Sequence, residues 1–179
     1  MSISNPDVTV LVPTRNEGDN INRLLSRLSA HFSETGRSYE VLFVDDSDDD
    51  TPDLVRAASA AGEPVRMIHR PAGRRDGGLA GALTLGMARA AGRAVIVMDG
   101  DLQHPPEVAE PMVAPLLDGP AQVTVGSRYA AGGSAESIGD DAVEADRGRD
   151  DVVPEVVLGV GVGAEQALEQ DAGEDIDAH

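Results

Sequence analysis

Residues 94–107 read AVIVMDGDLQHPPE. Five apolar residues, three of them Val or Ile, give way at once to two aspartates one residue apart. A short apolar run of this kind suits a strand buried on both faces of a parallel sheet. Such sheets hold ligands just beyond the carboxyl ends of their strands, where Asp99 and Asp101 fall. Two carboxylates at that spacing repel, Gly100 lets the backbone bend between them, and a positive partner belongs beside them. Mg²⁺ or another hard divalent ion takes oxygen ligands of this type and keeps substrate phosphates in its shell. Gln103 adds a further oxygen or orients a ligand water. A bare D-x-D is more often a solvated acidic turn, but the buried strand before it and the QHPP extension after it favour the cation.

Working outward, similar apolar runs stand at VTVLV (8–12), VLFV (41–44), VRMI (65–68) and QVTVG (122–126). Between them the spacing is helical. Ile21, Leu24, Leu25 and Leu28 share one face, and Pro52 opens a second helix carrying Leu54, Val55 and Ala58. Leu79, Leu83 and Met87 line a third, and Val108, Met112, Leu116 and Leu117 a fourth. Alternating strands and helices predict βαβ units on a mostly parallel sheet. Three polar stretches then share its carboxyl edge: PTRNE (13–17), DDSDDDT (45–51) and DGDLQHPPE (99–107).

The acidic loop 45–51 is no EF-hand, because Thr51 and Ala57 occupy the glycine and closing-glutamate positions. Its carboxylates suit a ribose hydroxyl or a base edge, while Asp50 or Thr51 suits a helix cap. Asn16 reads as a cap for the first helix and Glu17 as a cleft residue. RPAGRRDGGLAGAL (70–83) sets three arginines and flexible glycines before a helix, a combination suited to phosphate, with Arg74 and Arg75 as the candidates. It is neither a P-loop nor G-x-G-x-x-G. A G-x-G-x-x-G-like match at 159–164 has too little chain after it for a βαβ unit. The histidines carry little signal: His31 lies on a helix, His69 ends a strand, and His104 adjoins proline.

The chain has 179 residues and a formal charge of −18, with no Cys, no Trp and every basic residue an arginine. Absent cysteine excludes disulfides and thiolate chemistry, and the acidic balance argues against nucleic acid as a partner. No signal-peptide pattern stands at the N-terminus, and no apolar run nears the ~18–20 residues that cross a bilayer. A soluble cytoplasmic protein is the expectation, with peripheral contact at the inner face of a membrane left open. Residues 134–179 carry 14 Asp plus Glu against two Arg. That composition favours disorder, so the expected division is a folded α/β domain over 1–133 and an acidic, unstructured tail over 134–179. A short helix near AEQALEQ (164–170) is the exception.

Taken in order, PTRNE, VDDSDDDT, the Arg/Gly loop, VMDGDLQHPPE and GSRYAAGG resemble the family 2 glycosyltransferases of the GT-A fold. More narrowly, they resemble the polyprenyl-phosphate (dolichol-phosphate) mannosyltransferase group, over about residues 8–134. The resemblance implies a three-layer, Rossmann-like α/β domain, incomplete at its C-terminus. Pro13, Thr14, Arg15, Glu17, Asp45 and Asp46 would surround the base and ribose of GDP-mannose or UDP-glucose. Asp99, Asp101 and Gln103 would hold Mg²⁺ or Mn²⁺ against the diphosphate, with Asp101 and Arg128 as the catalytic pair. The implied reaction is inverting transfer of a hexose to a polyprenyl phosphate. The family continues past GSRY with an arginine- and serine-bearing helical region, where this chain is acidic. The expectation is therefore a replaced end, with a non-catalytic donor-binding fragment as the alternative reading. A pyrophosphorylase would need a glycine-rich loop after the first strand, and a haloacid-dehalogenase-type phosphatase its D-x-D there; the sequence has neither.

Overall fold

The computed structural model describes residues 5–102 and 105–126, and the backbone of 157–161. The chain alternates strand and helix as its periodicity predicts: β1 (Val8–Thr14), α1 (Gly18–Thr35), β2 (Tyr39–Asp45), α2 (Thr51–Ala60), β3 (Val65–His69), α3 (Gly78–Met87), β4 (Ala94–Val97), α4 (Ala109–Leu117), β5 (Val123–Gly126) and β6 (Val157–Gly161). A single 3-10 turn, Pro106–Val108, leads into α4. The sheet order is β3-β2-β1-β4-β6-β5. β1 pairs in parallel with β2 and β4, and β2 with β3, while β6 runs antiparallel between β4 and β5.

Side-chain alternation along each strand divides the core into two layers. One face of the sheet packs Val8, Val10, Val12, Val41, Phe43 and Ile96 against Ile21, Leu24 and Leu28 of α1, Val55 of α2 and Met112 and Val113 of α4. The other face sets Leu11, Leu42, Val44 and Val95 against Ala82 of α3. Each of these large side chains contributes roughly 1.5–3 kcal/mol on burial.

The third helix sets Leu83 and Met87 of its expected face against the core but departs from it at Leu79. Leu79 is 61% exposed, and the buried residues of α3 are Ala82 and Gly86. A Cβ on Gly86 would run into the Leu11 side chain, so α3 lies close on β1 through small residues and its bulky side chains flank the contact. Among the described residues no helix is long and apolar enough to cross a membrane.

The second departure is β6. Residues 157–161 belong to the stretch whose composition suggested an unstructured tail, yet their backbone pairs Leu158 with Val97 and Val125, and Val160 with Val95 and Val123. A Val/Gly segment of five residues fits there because a strand paired on both sides satisfies its amides through the ladder. The helix expected near 164–170 and the boundary at 133/134 lie outside the described residues.

A polar cluster closes the amino edge of the sheet. Glu40 accepts from Arg66 Nε (2.7 Å) and Nη2 (2.9 Å), Thr9 Oγ1 (2.7 Å) and the Ala91 N–H (2.9 Å), and Thr9 Oγ1 accepts from the Gly92 N–H at 2.8 Å. Burial pushes the Glu40 carboxyl up, but the bonds from Arg66, Ala91 and Thr9 outweigh it and hold the group below its ordinary value of 4.5. A depressed carboxyl stabilises the fold above its unfolded pKa, and that stability drains away as pH falls through the folded value.

Two outcomes are expected. Val160→Pro, which removes a donor from the middle of β6, should lower stability by roughly 2 kcal/mol and the melting temperature by about 4–8 °C. Glu40→Gln should cost about 2 kcal/mol at pH 7 by urea titration, with the gap from the parent protein narrowing at pH 3.

Candidate functional site

The sheet order places a switch point between β1 and β4: the chain winds outward from β1 through β2 to β3, then returns to lay β4 on the other side of β1. Ligand crevices in open α/β sheets form outside the carboxyl ends at such a point. The loops that follow β1 and β4 are the PTRNE and DGD stretches, and they touch. A Cβ on Gly100 would stand 3.2 Å from Thr14 Cγ2 and 3.4 Å from Glu17 Cγ. A side chain there would be tight against both neighbours, so glycine suits the close meeting of the two loops.

Asp99 and Asp101 are half-buried at this junction. Leu102 follows with φ of 66°, an uncommon conformation for a bulky side chain that its packing on the core offsets. Two carboxylates flanking a glycine offer only hard oxygen donors, the set Mg²⁺ and Mn²⁺ accept when phosphate and water complete the shell. Among the described residues no cluster of three metal-ligating side chains forms. Gln103, expected as a third ligand, and Arg128 lie outside the described residues.

Neighbouring loops are bound to one another. The Asp46 N–H donates to Thr14 O (2.9 Å) and the Arg70 N–H to Asp45 O (2.8 Å). Asn16 is not a helix cap; Glu17 takes that position. With φ of 59°, Asn16 instead donates its N–H to Ser47 Oγ (2.8 Å) and accepts from the Asp48 N–H (2.9 Å). The Glu17 N–H donates to Thr51 Oγ1 at 3.0 Å. At the start of α2, Asp50 holds the cap position without a side-chain cap bond; Asp49 Oδ1 accepts the Thr51 N–H at 3.0 Å. The Asp49 carboxyl is held down by its hydrogen bonds from Thr51 and, further, from the Gly18 N–H.

Asp45 has no exposed surface. Its Oδ1 accepts from Thr14 Oγ1 (2.9 Å) and Ser47 Oγ (2.5 Å), and its Oδ2 lies 2.7 Å from His69 Nδ1. The resemblance set Asp45 at the base and ribose; the structure turns its carboxylate inward, where it joins three strand ends. In the sequence His69 carries little signal. The signal that finds it is register: Asp45 and His69 each end a strand, and they are partners across β2 and β3.

Asp46, 14% exposed, is gripped through both oxygens by Arg70, itself 8% exposed, at 2.7 and 2.6 Å. The same guanidinium donates to the carbonyls of Asp76 (3.2 Å) and Gly78 (2.8 Å). Arg70 thus fastens the loop before α3 to the loop after β2. Arg75, expected to bind phosphate, makes a second bidentate pair with Asp48 at 2.9 and 2.7 Å and donates to Ser47 O. That bond holds the Asp48 carboxyl below its usual range. Arg15 and Arg74 are exposed and Pro13 half-buried.

A family model for glycosyl transferase family 2 matches residues 9–146. The chain belongs to that family. The dolichol-phosphate mannosyltransferase of Pyrococcus furiosus is 37% identical over 133 residues, covering 73% of this chain and 35% of the relative. An undecaprenyl-phosphate 4-deoxy-4-formamido-L-arabinose transferase of Klebsiella pneumoniae is 37% identical over 114 residues, 63% of this chain and 34% of the relative. The chain therefore spans about a third of these relatives' length. Glucosyl-3-phosphoglycerate synthase of Mycobacterium tuberculosis, solved with Mn²⁺, UDP and glucosyl-3-phosphoglycerate, superposes with a TM-score of 0.51 at 25% identity, covering 66% of this chain and 42% of that one. The family 2 fold is thus a GT-A α/β sheet, as the motif order implied.

Arg70→Ala leaves the Asp46 carboxylate with little solvent and no guanidinium, and should cost about 3–5 kcal/mol by chemical denaturation. Arg75→Ala, whose partner Asp48 is exposed, should leave the melting temperature nearly unchanged.

Proposed function

We propose that this chain binds a nucleotide sugar and, with a divalent cation, transfers its hexose with inversion to a polyprenyl phosphate. One observation carries the reading: the loops after β1 and β4 meet at the switch point through Gly100, between Asp99 and Asp101 on one side and Thr14 and Glu17 on the other. Family membership and the Mn²⁺- and UDP-bearing structural relative support it.

In this reading Asp99, Asp101 and Gln103 hold Mg²⁺ or Mn²⁺. When bound, the ion offsets the charge that gathers on the leaving diphosphate. The chain's own part is positioning. Pro13, Thr14, Arg15, Glu17 and Asp46 surround base and ribose, with Asp45 acting from beneath. Arg74 and Arg75 face phosphate before α3, and Arg128 faces the donor or acceptor phosphates. A phosphate acceptor is already anionic near pH 7, so the site needs no tuned general base, and holding the reactants in line supplies most of the remaining rate. The donor is GDP-mannose or UDP-glucose. A lipid acceptor places the work at a membrane surface, with the protein attached peripherally at the cytoplasmic face.

One observation favours a narrower reading, donor binding without transfer. After residue 133 the sequence carries 14 carboxylates against two arginines, where an anionic lipid headgroup calls for positive charge.

Calorimetric titration with GDP-mannose and UDP-glucose, each with and without Mn²⁺, tests the donor site. One donor should bind only with the metal, and Asp101→Ala should weaken it at least tenfold. Metal-independent binding, or an unaffected Asp101→Ala protein, would overturn the site. Transfer of labelled hexose to a polyprenyl phosphate in detergent then separates the two readings.

A further inference from the structure

In the network beneath the crevice, Thr14 is 4% exposed, Ser47 2% and Asp45 0%. His69 alone among these four reaches solvent, with 29% of its side chain exposed. Thr14, Asp45 and His69 are register partners across β1, β2 and β3, so they form one row along the carboxyl edge. β4, which ends in the DGD loop, flanks β1 on the opposite side. At about 4.8 Å per strand, His69 sits some 14 Å across the edge from β4. A nucleoside diphosphate whose phosphates lie at Asp99 and Asp101 and which follows this edge brings its base toward β3.

The network also sets which face of the imidazole is offered. Asp45 Oδ1 already accepts two hydroxyl protons, and Oδ2 meets His69 Nδ1 at 2.7 Å. Two acceptors cannot meet at that distance, so Nδ1 carries the proton and donates. In the neutral ring Nε2 is then a bare acceptor. It makes no hydrogen bond to the described residues, and the only unpartnered side-chain atom buried among them is Nε2 of His31. His69 Nε2 is thus not a buried, unpartnered atom, and the ring that carries it is 29% exposed.

We propose that His69 reads the base of the donor, its Nε2 accepting a hydrogen bond from a ring N–H. The inference rests on the donor-site reading above and narrows it. Guanine and uracil carry such an N–H on the edge they present for pairing. Adenine and cytosine put a bare ring nitrogen there, and two lone pairs would face each other. The site selects lactam bases by this means, and Asp45 acts as the residue that positions the reader. A hydrogen-bonding site rejects a ligand that leaves its polar group unpaired far more strongly than an apolar pocket rejects a misfit.

The test measures GDP, UDP, ADP and CDP, each with Mn²⁺, by calorimetry or by competition against whichever donor binds. Two variants divide the roles of His69. His69→Asn keeps an amide N–H near the Nδ1 position, preserving the bond to Asp45, but removes the acceptor at Nε2. His69→Gln places its carbonyl near Nε2. The parent protein should prefer GDP or UDP to ADP and CDP. His69→Asn should cut that preference about tenfold by weakening the lactam nucleotide alone, while His69→Gln should retain part of it. Melting curves for both variants accompany the titrations. Equal weakening of all four nucleotides, or no change in preference, would overturn the assignment of His69 and leave the donor site standing. Failure of every nucleoside diphosphate to bind the folded parent protein would overturn both.

Discussion

A buried carboxylate organises the carboxyl edge of this domain. Asp45 is sealed from water, and an ionised group in that position is stable only when its lone pairs are filled. Thr14, Ser47 and His69 fill them from β1, the β2 loop and β3. Because the donors sit on three segments, satisfying one charge fixes the relative placement of all three strand ends. Backbone bonds from Asp46 to Thr14 and from Arg70 to Asp45 run through the same row. The loops that follow these strands are thereby held in fixed relation to one another.

Around this row the loops are tied by ion pairs of unequal weight. Arg70 and Asp46 are both largely shielded, so the bidentate pair is an essential join whose separation would strand a charge. Arg75 and Asp48 meet in similar geometry, but Asp48 is 59% exposed where Arg75 is 17%, so water competes for the carboxylate. The same chemistry thus serves as an anchor near the sheet and as an exchangeable contact at the rim.

The opposite, amino edge is held by Glu40, Arg66 and Thr9. With polar clusters at both ends and close packing of α3 on Leu11 between them, the four parallel strands form a rigid platform. The family comparisons and the motif order agree on what this platform is. β6, lying between β4 and β5, extends it with a segment from a strongly acidic region.

Much of this was legible in the sequence. Strands buried on both faces must be continuous apolar runs, so β1, β2 and β4 stood out, and the polar residues directly behind them marked the crevice. Ile21, Leu24, Leu25 and Leu28 declared the inner face of α1 in the same way. What escaped depended on residues distant in the chain. The closest approach of α3 is Gly86 against Leu11, which no helical periodicity records. Asn16 tethers a loop 31 residues away rather than capping its helix. The pairing of Arg70 with Asp46 and of Asp45 with His69 follows from strand register, and β6 from partners on β4 and β5, while its own surroundings resemble a solvated tail. Within residues 8–126, local composition and spacing determined which segments are strands, helices and polar loops at the carboxyl edge of the sheet. Only the tertiary structure decided which polar side chains face the crevice and which are spent holding it together, because a buried charge takes its partners from whatever strands pack beside it.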